Sequence, residues 1–187
     1  MKIHQRHNNS LSAGKSGKKK LNLRISGFSK QKIVEVDEII AALDQLPYNH
    51  LTGLREIAYD PNRLVQRAIG YYNTPDMSYS VPDFNSYGDY FHDEQWINVY
   101  KFKSKSEFFH LLYHEIGHFV YHCVISNAHR RYWVIDLYPR STYISPYASK
   151  NASEDFAESY ATYLTKPEQI KRLSRKYHFL KEIVFKY

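Results

Sequence analysis

The sequence predicts a single α+β domain: a small, mostly antiparallel sheet, then one helix carrying His-Glu-x-x-His and a second carrying a pair of glutamates. Three observations lead there. Short segments of alternating apolar and polar residues, divided by turn-forming residues, run to about residue 102. Beyond them the apolar spacing becomes helical, with a capping signal ahead of the two main helices. The length of 187 residues suits one domain.

The strands come first. Leu21, Leu23 and Ile25 alternate with polar residues, and Ile33, Val34 and Val36 give a second strand signal. Asp37 is the expected N-cap of a short helix whose apolar side holds Ile39, Ile40, Leu43 and Leu46, with Pro47 ending it. Leu54–Tyr59 and Ala68–Tyr72 read as strands, with a turn at Asp60-Pro61-Asn62. Residues 73–93 are rich in Pro, Asp, Asn, Ser and Gly and read as loop. Trp96–Phe102 has the clearest alternation in the chain and is the strand on which a peptide could add.

The helices follow. Ser104 and Glu107 form a capping box, so a helix should start near Lys105. On it, Phe109, Leu112, Ile116, Phe119, Val120 and Cys123 fall within one arc, and His114, Glu115 and His118 fall roughly opposite. Asn151 with Glu154 caps a helix running to about Thr165. Its Glu154 and Glu158 share a face with Ala157 and Ala161, small enough for another helix to approach closely. A last helix from Glu168 should bury Ile170, Leu173, Tyr177 and Leu180.

Charge is unevenly placed. The net charge is +7, yet residues 1–20 hold six basic side chains and no acid, leaving 20 basic against 19 acidic in 21–187. That tail is expected to be disordered, a solubilising segment first and a contact for nucleic acid or an anionic membrane second. The domain then spans 21–187. One cysteine, Cys123, excludes an internal disulfide framework. No apolar run is long enough to span a membrane, and no apolar segment follows the basic start as in a signal peptide. The expectation is a cytoplasmic protein, or a secreted one whose leader is absent from this sequence. Nothing in it specifies an oligomeric state.

The pentad His114-Glu115-Ile116-Gly117-His118 carries the chemistry. Residues i and i+4 of a helix project side by side, so two imidazoles can reach one zinc ion at about 2.0–2.1 Å. Glu115 lies a quarter-turn away, near a metal-bound water without being a ligand. Catalytic zinc needs a third protein ligand. His122 would lie about 12 Å along the axis from His114, too far to converge with both histidines. Position 124, where some zincins place a third histidine, is Val124. Glu154 on the neighbouring helix is the better candidate, and Glu158 can hold the far nitrogen of a ligand histidine. His110, His122 and His129 read as ordinary residues.

Tyr-His-Glu-Ile-Gly-His at 113–118, Ser-Pro-Tyr-Ala at 145–148 and Ser-Glu-Asp-Phe-Ala-Glu at 153–158 resemble the lethal-factor-like zincins. That family includes the catalytic domain of anthrax lethal factor and the secreted Pro-Pro endopeptidases. The resemblance covers residues 104–166 and implies a zincin-like fold with Glu154 as third zinc ligand. It also implies that Tyr147, seven residues earlier, assists the reaction, with Tyr143 in reserve. The expected function is a zinc endopeptidase acting on a peptide or protein, with one zinc per chain and Glu115 as general base. The alternatives are a cytoplasmic zincin acting on a DNA-bound or regulatory protein, and a zinc-stabilised interaction module without turnover.

Overall fold

A computed structural model describes residues 21–62 and 87–186. The expected tail (1–20) and the expected strand Ala68–Tyr72 lie outside the described residues.

Four short strands, β1 (Arg24–Ser26), β2 (Glu56–Tyr59), β3 (Gly88–Phe91) and β4 (Trp96–Val99), form one sheet in the order β1-β2-β4-β3. The expectation of a mostly antiparallel sheet is corrected: β1–β2 and β2–β4 are parallel, and only β3–β4 is antiparallel. The connections explain this. Between β1 and β2 the chain passes through helix α1 (Val36–Leu43), a crossover long enough to return parallel. Between β3 and β4 it makes a tight turn of four residues, where Gln95 takes a φ of 55°.

Three local expectations also change. Ile33 and Val34 are not strand. The Gln31 side chain wraps that segment, its Oε1 accepting from the N–H of Ile33 and Val34 at 2.6 and 3.0 Å. Helix α1 starts two residues earlier than Asp37 implies, with Glu35 as N-cap and its N–H donating to Glu38 at 3.0 Å. Gly88–Phe91, expected as loop, is strand β3. Its polar composition fits a strand at the margin of the described sheet. As a result β4 lies between β2 and β3, so the Trp96–Phe102 segment is not where a peptide could add.

Among the described residues, six α-helices complete the fold. Helix α2 (Lys105–Phe119) is capped by Ser104, whose Oγ accepts from the Glu107 N–H at 3.2 Å. It continues into a wider π-turn, Val120–Val124. That turn shifts the helical register, so Cys123, expected in the buried arc, is exposed. Helix α3 (Asn127–Tyr132) ends in another π-turn. Helix α4 (Ala152–Thr165) begins at Asn151, whose Oδ1 accepts from Ser153 and Glu154 at 3.0 Å. The expected last helix is split into α5 (Pro167–Ile170) and α6 (Ser174–Phe179).

One cluster of buried side chains joins the sheet (Ile25, Ile57, Ile97), helix α2 (Phe108, Leu112, Ile116) and helix α4 (Phe156, Tyr160). Helices α2 and α4 meet at Gly117. A Cβ there would lie 2.9 Å from Cα of Ala157, so the backbones touch where His114 and His118 flank the contact. No helix of the described residues is long and apolar enough to cross a membrane.

Candidate metal centre

The contact at Gly117 brings one face of α2 against the glutamates of α4. His114 Nε2 and His118 Nε2 each lie 3.2 Å from Oε2 of Glu154, and 3.1 Å from one another. Among the described residues these three form the group whose ligand atoms are close enough to hold a metal ion. His114 and Glu115 are buried rather than displayed on an open face, because α4 and β3 cover that side of the helix.

The ring orientations follow from their other nitrogens. His114 Nδ1 lies 2.9 Å from Oε1 of Glu158, an ionised carboxylate that can only accept, so Nδ1 carries the proton. His118 Nδ1 is 3.0 Å from the Ser153 hydroxyl. Both Nε2 atoms therefore face Glu154 Oε2, which is buried and has no hydrogen-bond partner among the described residues. Lone pairs of three atoms converging this closely repel one another unless a cation or a proton stands between them.

The electrostatics agree. Burial opposes charge on His114, but the carboxylates of Glu154 and Glu158 outweigh it and push the ring up to about 10. His118 moves the other way, lowered by burial and by the charge on His114 against the pull of Glu154. The two Nε2 atoms, 3.1 Å apart, cannot both carry a proton, so without a cation one proton is shared between them. Burial works to raise Glu154, yet its contacts with His114 and His118 bring it down to about 2. Glu158 is likewise held well below the usual carboxylate range: burial is outweighed by His110, His114 and Ser145.

Glu115 differs from its neighbours. Burial pushes its carboxyl up to about 8; the charge on His114 opposes this, while Asp89 and Glu154 add to it. It is not among the three convergent ligands and lines two cavities that flank them, one of about 710 Å³ and one of about 350 Å³. Gly88, His114, Glu115 and Tyr147 line both, whereas His118 and Glu154 line only the smaller, so the two cavities meet at His114 and Glu115. Tyr147 is half-exposed, its ring centroid 5.7 Å from that of His114. Tyr143 lines neither cavity and stands against Tyr138.

Thus the structure brings His114, Glu115, His118, Tyr147, Glu154 and Glu158 to one place. Four participants, His110, His122, Ser145 and Ser153, escape sequence reading. His110 lies one turn before His114, its Nε2 3.4 Å from Glu158 Oε1 and its Nδ1 3.1 Å from the Thr165 hydroxyl. Ser145 donates to Glu158 Oε2 at 2.7 Å. Ser153 links His118 to His122, at 3.0 and 3.3 Å. Their helical spacing gave a signal for the two histidines, four residues before His114 and four after His118; the serines gave none. No family profile, curated protein or solved structure matches this chain.

Proposed function

We propose that this protein is a zinc-dependent endopeptidase of the lethal-factor-like kind, with His114, His118 and Glu154 holding one zinc ion. The observation that carries the reading is the convergence of two Nε2 atoms and one orphaned carboxylate oxygen at 3.1–3.2 Å. Ligand atoms around a tetrahedral zinc stand roughly 3.3 Å apart at the usual bond lengths, so this set fits with little movement. Two imidazoles and one carboxylate are also the donor set of catalytic rather than purely structural zinc.

Bound there, the ion would supply Lewis acidity and bring the pKa of a coordinated water towards about 7. Glu115 takes the proton from the attacking water and passes it to the departing amine. Burial among other carboxylates raises the proton affinity of Glu115, and this suits a base that must later act as an acid. Glu158 keeps the proton on Nδ1 of His114 and so keeps Nε2 available. The Tyr147 hydroxyl donates to the developing oxyanion, a role the family resemblance implies and its place on both cavities supports. A cleft open on both sides of Glu115 suits a chain cut internally rather than at its end.

The test is cleavage of a random peptide library by the zinc-loaded protein, with Glu115→Gln as control. Peptide products from the wild type and none from the variant support the reading. Zinc binding without products from either supports an interaction module instead.

A further inference from the structure

The larger cavity runs from the metal centre along α4. At its near end the ammonium of Lys150 stands 3.9 Å over the ring of Tyr147. At its far end Lys166, which follows α4, lines the same space and is exposed. The acids of that lining are committed elsewhere. Glu158 is held by His114 and Ser145, Glu115 is at the reaction centre, and Glu107 accepts the backbone N–H of Lys103 at 2.7 Å. Glu107 also sits in the first turn of α2, where the helix end offsets its charge. Among the described residues no carboxylate is within ion-pair distance of Lys166.

Resting on the peptidase reading above, we propose that this half of the cleft takes an acidic peptide segment, Lys166 receiving a carboxylate several residues from the scissile bond. The offset follows from the helix. Lys166 is twelve residues beyond Glu154, about 18 Å along the axis, and its side chain reaches back about 6 Å. An extended peptide advances about 3.3–3.6 Å per residue, so the remaining distance of about 12 Å puts the carboxylate about three to four residues from the reacting carbonyl. Exposed charges at such a distance act through water and salt. The interaction is therefore modest, strongest at low ionic strength, and selects among substrates rather than driving the reaction.

The experiment walks a single glutamate through an otherwise uncharged fluorogenic peptide, one position at a time on each side of the cut, with the zinc-loaded protein. A rise in kcat/KM of about two- to fivefold over the neutral peptide is expected at an offset of three to four residues on one side only. In Lys166→Glu that preference should vanish, and a lysine at the same offset should become favoured. A flat profile, or a preference that survives Lys166→Glu, overturns the assignment. Binding of the same peptides to Glu115→Gln, followed by fluorescence anisotropy, decides the matter without turnover. Tighter binding of the acidic peptide that Lys166→Glu and added salt both remove supports the acidic subsite; equal binding of acidic and neutral peptides overturns it. Absence of cleavage with selective binding would overturn the peptidase reading and leave the acidic subsite standing.

Discussion

Nδ1 of His114 lies 2.9 Å from Oε1 of Glu158, and that bond determines which ring nitrogen faces Glu154. Glu158 is not among the convergent ligands, yet it fixes the tautomer on which convergence depends. Glu158→Gln replaces an obligate acceptor with an amide that can present a donor to the same nitrogen. Zinc affinity should fall by about 10–100-fold, as expected on losing a partner of a ligand. Competition against a fluorescent chelator measures it; a larger loss in Glu158→Gln than in Glu154→Gln would reverse the two roles.

Tyr147 faces the cleft and Tyr143 does not, so the two tyrosines should differ sharply. Tyr147→Phe should lower kcat on the best library peptide by on the order of 10²–10³ with KM little changed. Tyr143→Phe should be near neutral. A rise in KM alone for Tyr147→Phe would make that residue a wall of the cleft.

His50 makes stability depend on pH. It is fully buried, with Nε2 donating to the Val184 carbonyl and Nδ1 accepting from the Tyr160 hydroxyl, both at 2.9 Å. This arrangement needs the neutral ring, and burial lowers it from 6.5 to about 4 despite the Val184 carbonyl. In the unfolded chain the ring binds its proton more readily, so stability rises with pH between about 4 and 6.5 and is lost on acidification through that window. The contribution is on the order of 3 kcal/mol. Urea unfolding across this range should show the slope in the wild type and a weaker slope in His50→Asn. Equal slopes would remove His50 from the account.

Asp155 and Lys176 form an ion pair at 2.6 Å with no exposure of either side chain. Burial pushes Asp155 up to about 6 even against Lys176, and burial lowers Lys176. Lys176 also donates to the Thr142 carbonyl at 3.1 Å, which ties α6 to the segment leading to Ser145 and Tyr147. Lys176→Met strands a buried carboxylate and should cost about 3–5 kcal/mol. The double variant Asp155→Leu/Lys176→Met should recover most of that loss in chemical unfolding. An additive loss would mean that the two residues act separately.

The helical part of the fold was legible because its signals are local. Ser104 and Asn151 cap where expected, and the His114/His118 spacing needs only one turn of helix. The face of Ala157 does admit a second helix, with Gly117 as the opposing contact. The sheet was less legible because pairing depends on connections between distant residues. Alternation identifies Ile25, Ile57 and Ile97 as strand residues without saying that their strands run parallel. Strand β3 hid among polar residues because burial at a sheet margin asks little of its sequence. Ser145 and Ser153 escaped for a related reason: a serine that orients another side chain carries no pattern of its own.

The most direct test of the central claim is zinc content per chain, measured by elemental analysis after equilibration with a buffered, limiting level of free zinc. One zinc is expected in the wild type and in Glu115→Gln, and little or none in His114→Ala, His118→Ala and Glu154→Gln, with all five proteins folded by circular dichroism. Full zinc content in Glu154→Gln, or none in the wild type, would contradict the claim that these three residues form a metal site.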